Sequence, residues 1–428
     1  MALFSLKENN TNARTELTAG VTTFFTMAYI IVVNPAVHAA AGVPFEQVFM
    51  ATIISSIIGT LIMAFFANYP IAVAPGMGLN AYFASVVASQ GISYQVVFGA
   101  VFLAGAIFAL LSFTKFREIL ISAIPESLKY AITAGIGLFI AFLGFTMSGL
   151  IVPGEANIIE LGDIREPMTA LTIVGLFITL ILMARNIKGA LFLGMAVTGI
   201  IAYFSGQLEF TGWVSAPPTP VFFDLDISGV FKQGLYSILF AFLLVTIFET
   251  TGTIIGVAEQ GGFMKNGQLP RAKSALFADA SATMVGSMFG TSPSSAYIES
   301  SAGVAAGGKT GMTTLVVAAL FAVSVFFTPI IGAIANVAAI TAPVLIIVGC
   351  FMMDGLAHIK WRKFDEAFPA FAVIMAMPLT SSIATGIAVG FITYPLLKLV
   401  TGKGKEIHWI IYLFAVIFVL QMLYFPAN

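Results

Sequence analysis

The sequence predicts an all-α polytopic membrane protein of fourteen transmembrane segments, arranged as a seven-plus-seven inverted repeat. Three observations lead there. Of 428 residues, 59% are hydrophobic and only 9% are charged, where soluble domains carry about 25% charged residues. Apolar runs of roughly 20 residues recur along the whole chain, and a run of that length crosses a bilayer. Two polar, interrupted stretches then break the apolar pattern at corresponding places: "AVAPGMGLNAYFASVVASQG" at 72–91 and "GTSPSSAYIES" at 290–300.

Taken in order, the first set of spans is expected near 18–40, 46–67, 71–89, 93–113, 127–147, 168–184 and 189–205. The second is expected near 233–258, 270–289, 294–307, 311–333, 336–357, 365–378 and 380–400. Charge supports this count. The leader 1–17 lacks the apolar region and cleavage site of a signal peptide. It carries Lys7 and Arg14, which favour the cytoplasmic side. With the N-terminus inside, the cytoplasmic connections hold Lys115 and Arg117, then Arg185 and Lys188, then Lys265, Arg271 and Lys273. Lys309 follows, then Lys360, Arg362 and Lys363, and finally Lys398, Lys403 and Lys405. The opposite side receives Glu155, Glu160, Asp163 and Glu166 in one connection and Glu209, Asp224 and Asp226 in another, with Arg165 the one clear exception. This is the positive-inside pattern. The last apolar stretch, 408–425, is expected to lie along the cytoplasmic interface, the alternative being a fifteenth span.

Composition also excludes. A net charge of −1 gives no electrostatic footprint for nucleic acid. The single cysteine, Cys350, cannot form a disulfide within the chain and is expected to be a small buried packing residue. No His/Cys metal cluster, nucleotide-binding glycine loop or nucleophile triad is present, and His38, His358 and His408 are scattered at predicted loop ends.

Two short matches suggest the duplication. "NAYFAS" (80–85) resembles "SAYIES" (295–300), and "AITAG" (131–135) resembles "AITAP" (339–343). A seven-span copy enters the membrane upside down relative to the first, and inverted repeats of this kind mark secondary transporters. Such folds place the substrate near the midplane between discontinuous helices, since broken backbone at that depth is tolerated only where it is buried or lines a cavity. Pro75, Gly76 and Gly78 interrupt one element, and Gly290 and Pro293 the other. Each is expected to be a short extended piece feeding a half-helix, with Asn80 as an amide at the first break.

Charges inside spans are costly and usually functional. Glu249, Asp279 and Glu299 fall in spans eight, nine and ten, while Asp354 sits at a helix end and reads as interfacial. No Lys or Arg occurs in 18–114, 233–264 or 274–308. The core therefore offers carboxylates, an amide and hydroxyls without cations, which suits a neutral ligand rich in N–H donors, or a cation. Burial disfavours the charged form of an unpartnered carboxylate, so Glu249 and Glu299 are candidate proton carriers. Asp279 reads as structural support for the broken tenth element.

The stretches "TAGVTTFFTMAYIIVVNP", "APGMGLNAYFA", "FETTGTIIGVA", "GTSPSSAYIES" and "EAFPAFAVIMAMPLTSSIATGIAVGF" resemble the nucleobase/ascorbate transporter family. Within it they are similar to the purine permease branch that takes hypoxanthine, guanine and adenine. The resemblance covers 15–398. It implies a core domain from 18–113 and 233–333 and a gate domain from 127–205 and 336–400. It also implies proton symport in the cell membrane, no cofactor beyond the proton, and often a homodimer. Matched residue by residue, it puts Glu249 and Glu299 at the carboxylates that bind the base, and Gly78 and Asn80 at the polar break of span three. Asp279 matches an acidic position in span nine. Members of the branch often carry Asp in place of Glu249 and a second Asp where this chain has Thr246, which leaves the particular purine open. An adenine-preferring permease is one alternative. An anion carrier on the same architecture is another, disfavoured by the missing cations. Phe24, Phe25, Tyr82 and Tyr297 are aromatic candidates to pack on the ring.

Overall fold

A computed structural model describes residues 4–114, 123–154, 158–265 and 268–424. Lys115, Arg117 and Glu155, used above to orient the chain, lie outside the described residues, as does Phe425 at the end of the last apolar stretch. Among the described residues, nine helical stretches are long and apolar enough to cross a membrane, from Ala13–Ala40 to Ile383–Val400. Shorter apolar helices at Met77–Ala88, Ala190–Phe204 and Trp409–Leu423 accompany them.

The first stretch is two helices, α1 (Ala13–Met27) and α2 (Ile30–Ala40). Asn12 starts α1 by accepting the Thr15 N–H at 3.0 Å, which satisfies one of the donors that a helix start leaves unpaired. Helix α3 (Phe45–Ile62) runs into a π turn (Met63–Ala67) and stops at Asn68, which is left-handed with φ +52°. Then come β1 (Val73–Pro75), α4 (Met77–Gln90) and α5 (Tyr94–Ser112). The middle of the chain gives α6 (Glu126–Met147), the exposed hairpin β2 (Ile151–Pro153) and β3 (Ile159–Leu161), α7 (Pro167–Ala184), α8 (Ala190–Phe204) and the short α9 (Ile227–Lys232). The second part repeats the plan with α10 (Tyr236–Gln260), α11 (Ala272–Phe289), β4 (Ser294–Ala296), α12 (Ser300–Ala305), α13 (Gly311–Ser324) and α14 (Thr328–Ala335). It closes with α15 (Ala338–Phe351), α16 (Phe364–Leu379), α17 (Ile383–Val400) and α18 (Trp409–Tyr424).

Packing gathers these helices into two sets. Helix α11 packs on α3 and α5, and α13 on α1 and α3, while α6 packs on α15 and α16, and α7 on α8 and α15. Close approach in the second set depends on small residues. A Cβ added to Gly137 on α6 would lie 2.6 Å from the Gly349 carbonyl oxygen on α15. Helix α18 packs on α17 and α10: Phe414 and Phe418 contact Phe391, with ring centroids 5.6 and 5.8 Å apart, and Phe414 meets Phe240 at 4.6 Å. Phe391 lies near the middle of α17, so α18 runs alongside that helix.

Strands β1 and β4 pair antiparallel, with Val73 opposite Ala296, Ala74 opposite Ser295 and Pro75 opposite Ser294. A two-stranded ladder leaves both outer edges unpaired, which is costly where water is absent. One threonine serves each edge. Thr60 on α3 accepts the Val73 N–H at 3.1 Å and donates to the Val73 carbonyl at 3.0 Å. Thr283 on α11 accepts the Ser294 N–H at 3.0 Å and donates to the Ser294 carbonyl at 3.3 Å.

Several expectations need correction. The match of "NAYFAS" to "SAYIES" is out of structural register, because Asn80 lies in helix α4 whereas Ser295 lies in strand β4. The elements that correspond are the strands and their supporting threonines. Cys350 is exposed on the outer face of α15; a lipid-facing surface is as apolar as an interior, so composition could not separate them. His38 does sit in the last turn of α2, beside the loop that follows, but it is not a free loop-end side chain. It is buried in α2, its Nδ1 is 2.9 Å from the Asn34 carbonyl oxygen, and its ring stacks on Phe83 at 4.6 Å.

Candidate functional site

The strand pairing brings both breaks to one place. Beyond the ladder, the Gly76 N–H donates to the Pro293 carbonyl and the Tyr297 N–H to the Ala72 carbonyl, both at 2.9 Å. The Tyr297 hydroxyl donates to the Pro75 carbonyl at 2.5 Å. Pro75 and Pro293 therefore each remove a donor and leave a carbonyl that the opposite element uses. Helix α4 starts immediately after Gly76 with no side-chain cap. The N–H groups of its first turn, with their share of the helix dipole, are left at the crossing.

Three carboxylates surround this crossing. Glu249 comes from the middle of α10. A Cβ added to Gly76 would lie 2.8 Å from Ser295 Oγ and 3.2 Å from Glu249 Oε2, so the strand, the serine and the carboxylate converge on one point. That carboxylate oxygen is buried and receives no hydrogen bond of good geometry from the described residues. Glu299 sits one residue before α12 rather than inside it. Its Oε1 accepts the Tyr29 hydroxyl, and its carbonyl oxygen lies 3.4 Å from the Thr26 hydroxyl, whose shorter contact is the Thr23 carbonyl at 2.8 Å. Asp279 on α11 is fully buried and accepts the Thr250 hydroxyl at 2.5 Å, Thr250 being the neighbour of Glu249 along α10. Its other oxygen has no partner among the described residues.

Asn80 is fully buried one turn into α4. Its amide nitrogen is 3.7 Å from Met77 Sδ, and its carbonyl oxygen is without a partner among the described residues. Gly78 does not face the carboxylates. A Cβ there would meet Ile136 Cγ2 on α6 at 2.6 Å. The glycine that permits close approach at the acids is Gly76, the extended residue that ends the strand segment, whereas Gly78 already lies in α4 and faces α6. Thr246, one turn before Glu249, donates to the Phe242 carbonyl at 2.7 Å, as helix hydroxyls commonly do. The aromatic candidates separate too. Phe24 packs on Phe321, Phe25 is exposed beside Phe192, and Tyr82 packs on Phe242; Tyr297 is at the acids.

Sequence reasoning missed Tyr29, Ser295 and Thr250. Tyr29 sits between α1 and α2, and the signal available was its place in "TFFTMAYIIVVNP", midway along the first span. No Lys or Arg occurs in 18–114, 233–264 or 274–308, the stretches that carry the site residues; Lys273 lies at the start of α11, six residues before Asp279. The ion pairs among Lys398, Lys403, Asp365 and Glu366 lie at the ends of α16 and α17. Among the described residues no group of three or more His, Cys, Asp or Glu could hold a metal ion.

A pair of broken elements meeting inside a helical bundle, with acceptors, an amide and an uncapped helix start around them, is the arrangement expected where a membrane carrier binds its substrate. The chain belongs to the xanthine/uracil permease family: the profile described as "Permease family" matches residues 14–389. It is a transporter of that family, not an enzyme. It is 56% identical to the guanine/hypoxanthine permease PbuO of Bacillus subtilis (strain 168), with 98% of this chain and 99% of that protein covered. It is 40% identical to the adenine permease AdeP of Escherichia coli (strain K12), with 100% of this chain and 96% of that protein covered. Among solved structures, it shares its fold with the transmembrane domain of BicA, a cyanobacterium bicarbonate transporter. There the TM-score is 0.68 at 16% identity, over 87% of this chain and 97% of that one.

Proposed function

We propose that the protein is a proton-coupled importer of purine nucleobases, with hypoxanthine and guanine preferred. The observation that carries the proposal is the convergence of Glu249, Ser295 and Gly76 at the strand crossing, with Glu299 beside it and no basic residue in these elements. The purine class follows the relatives' names: guanine/hypoxanthine permeases at 56% and 42% identity. An adenine preference is the second reading, favoured by the adenine permease at 40% identity.

In this reading a planar base enters between β1 and β4. Glu249 and Glu299 accept its ring or exocyclic N–H groups. Asn80 and the first N–H groups of α4 offer polar contacts for its carbonyl and ring nitrogens. Asp279 holds Thr250 and so braces α10 behind Glu249. Selectivity follows from matching, since a base lacking a partner leaves a buried polar group unpaired. Glu249 is the first choice for the coupling proton: among the described residues its Oε2 receives no hydrogen bond of good geometry, whereas Glu299 already accepts Tyr29. Protonation of Glu249 removes one of the site's negative charges and lets the set α1–α5 with α10–α14, the core, move against α6–α8 with α15–α17, the gate. We further assign the chain fourteen spans in a seven-plus-seven inverted repeat, with α18 as an additional helix alongside. The N-terminus is cytoplasmic, and the protein sits in the cell membrane as a homodimer. An anion carrier is disfavoured because Glu249 and Glu299 lie at the helix start that would otherwise receive an anion, with no basic residue there to offset them.

The test is uptake of labelled hypoxanthine into proteoliposomes, with and without an inward proton gradient, competed by guanine, adenine, uracil and xanthine. Gradient-driven uptake blocked by guanine and not by uracil supports the assignment. Folded protein that moves no base refutes it.

A further inference from the structure

We propose that Tyr29 is a positioning residue of the substrate site, whose hydroxyl fixes Glu299 in the orientation that receives the base. This rests on the purine-permease reading above. Glu299 needs such support. It lies in the turn that precedes a helix of six residues, so a long helix does not set its direction as α10 does for Glu249. Two tyrosine hydroxyls supply what the short helix lacks. Tyr297 anchors the turn to the Pro75 carbonyl, and Tyr29 takes Glu299 Oε1.

Tyr29 lies where the first stretch breaks, after α1 ends at Met27 and before α2 begins at Ile30. From the same turn, the Thr26 hydroxyl lies 3.4 Å from the Glu299 carbonyl oxygen, with its shorter contact to the Thr23 carbonyl at 2.8 Å. The end of α1 and Tyr29 therefore pack directly on Glu299, and Tyr29 supplies the hydrogen bond to its side chain. Tyr29 is 1% exposed, and its ring centroid is 6.5 Å from that of Tyr297. A carboxylate has about four acceptor sites. The tyrosine occupies one, fixes the plane of the group, and leaves the rest for N–H donors on the base. A purely structural tyrosine would be satisfied by any backbone carbonyl, and here the partner is a carboxylate at the site.

The experiment compares wild type, Y29F and, as a control buried tyrosine away from the acids, Y82F. Hypoxanthine uptake in proteoliposomes gives KM and Vmax. Infrared spectra of the base-free protein follow the carboxyl band identified by its loss in E299Q. Y29F is expected to shift that band, raise KM about tenfold and leave Vmax within about twofold, as loss of a hydrogen bond to a charged group predicts. Y82F should change neither. An unmoved band, or a shifted band with unchanged KM, overturns the proposal. A wild-type protein that takes up no purine overturns the substrate reading instead and removes this proposal with it. The band then still reports whether Tyr29 holds Glu299.

Discussion

At the residue scale, two glycines two positions apart are expected to behave differently. Gly76 has φ −73°, which any residue adopts, so a methyl there strains space and not backbone. It would press on Ser295 Oγ and Glu249 Oε2. Gly76→Ala should therefore raise KM for the base several-fold while thermal stability changes little. Gly78→Ala drives its methyl into Ile136 on α6. It should cost about 1–3 kcal/mol of stability, as overpacking does, read from unfolding in detergent. If Gly78→Ala instead impaired binding with stability intact, the geometry given for α4 would be wrong. Glu249→Gln keeps shape and removes the titrating group. Downhill exchange of base should survive in part, and accumulation driven by a proton gradient should vanish. Full gradient-driven accumulation by this variant would move the proton role to Glu299. Position in the chain showed that these acids are buried. It did not show that Tyr29 meets Glu299, because 270 residues separate the two.

At the element scale, the short strands depend on helices that are not their neighbours in the ladder. Thr60→Val leaves the N–H and carbonyl of Val73 without that partner, and Thr283→Val does the same to Ser294. Each change should cost about 1–3 kcal/mol, the usual penalty for stranded buried polar groups. The two losses should be similar, since the two threonines do the same work. A large loss at one and none at the other would break the equivalence of the halves. A separate clamp joins α16 to α17, where Lys398 Nζ lies 2.9 Å from Asp365 Oδ2 and 2.6 Å from Glu366 Oε1. Lys398→Met leaves two low-exposure carboxylates with less compensation. About 3–5 kcal/mol should be lost, visible as a lower unfolding temperature.

At the scale of the whole molecule, the two packed sets of helices are expected to move as bodies around a fixed midplane site. Uptake should saturate, and it should become accumulative only with an inward proton gradient, collapsing to equilibration when a protonophore is added. Flux that never saturates would indicate a channel instead. The long spans and both interrupted elements were legible because hydropathy and Pro/Gly punctuation are local properties. The halves' register was not. The short match at 80–85 set a helix against a strand, because a few similar letters carry no information about which backbone groups pair.

The sequence by itself determined the membrane class, the two breaks, the buried acids and the absence of cations around them. Each of these follows from the cost of polar and charged groups in hydrocarbon, which any stretch of chain feels wherever it folds. Only the tertiary structure decided that Gly76 rather than Gly78 faces Glu249, that Thr60 and Thr283 complete the strand edges, and that Tyr29 holds Glu299. Those are contacts between distant segments. They depend on the antiparallel pairing of Val73–Pro75 with Ser294–Ala296, which fixes side-chain directions that no local pattern contains.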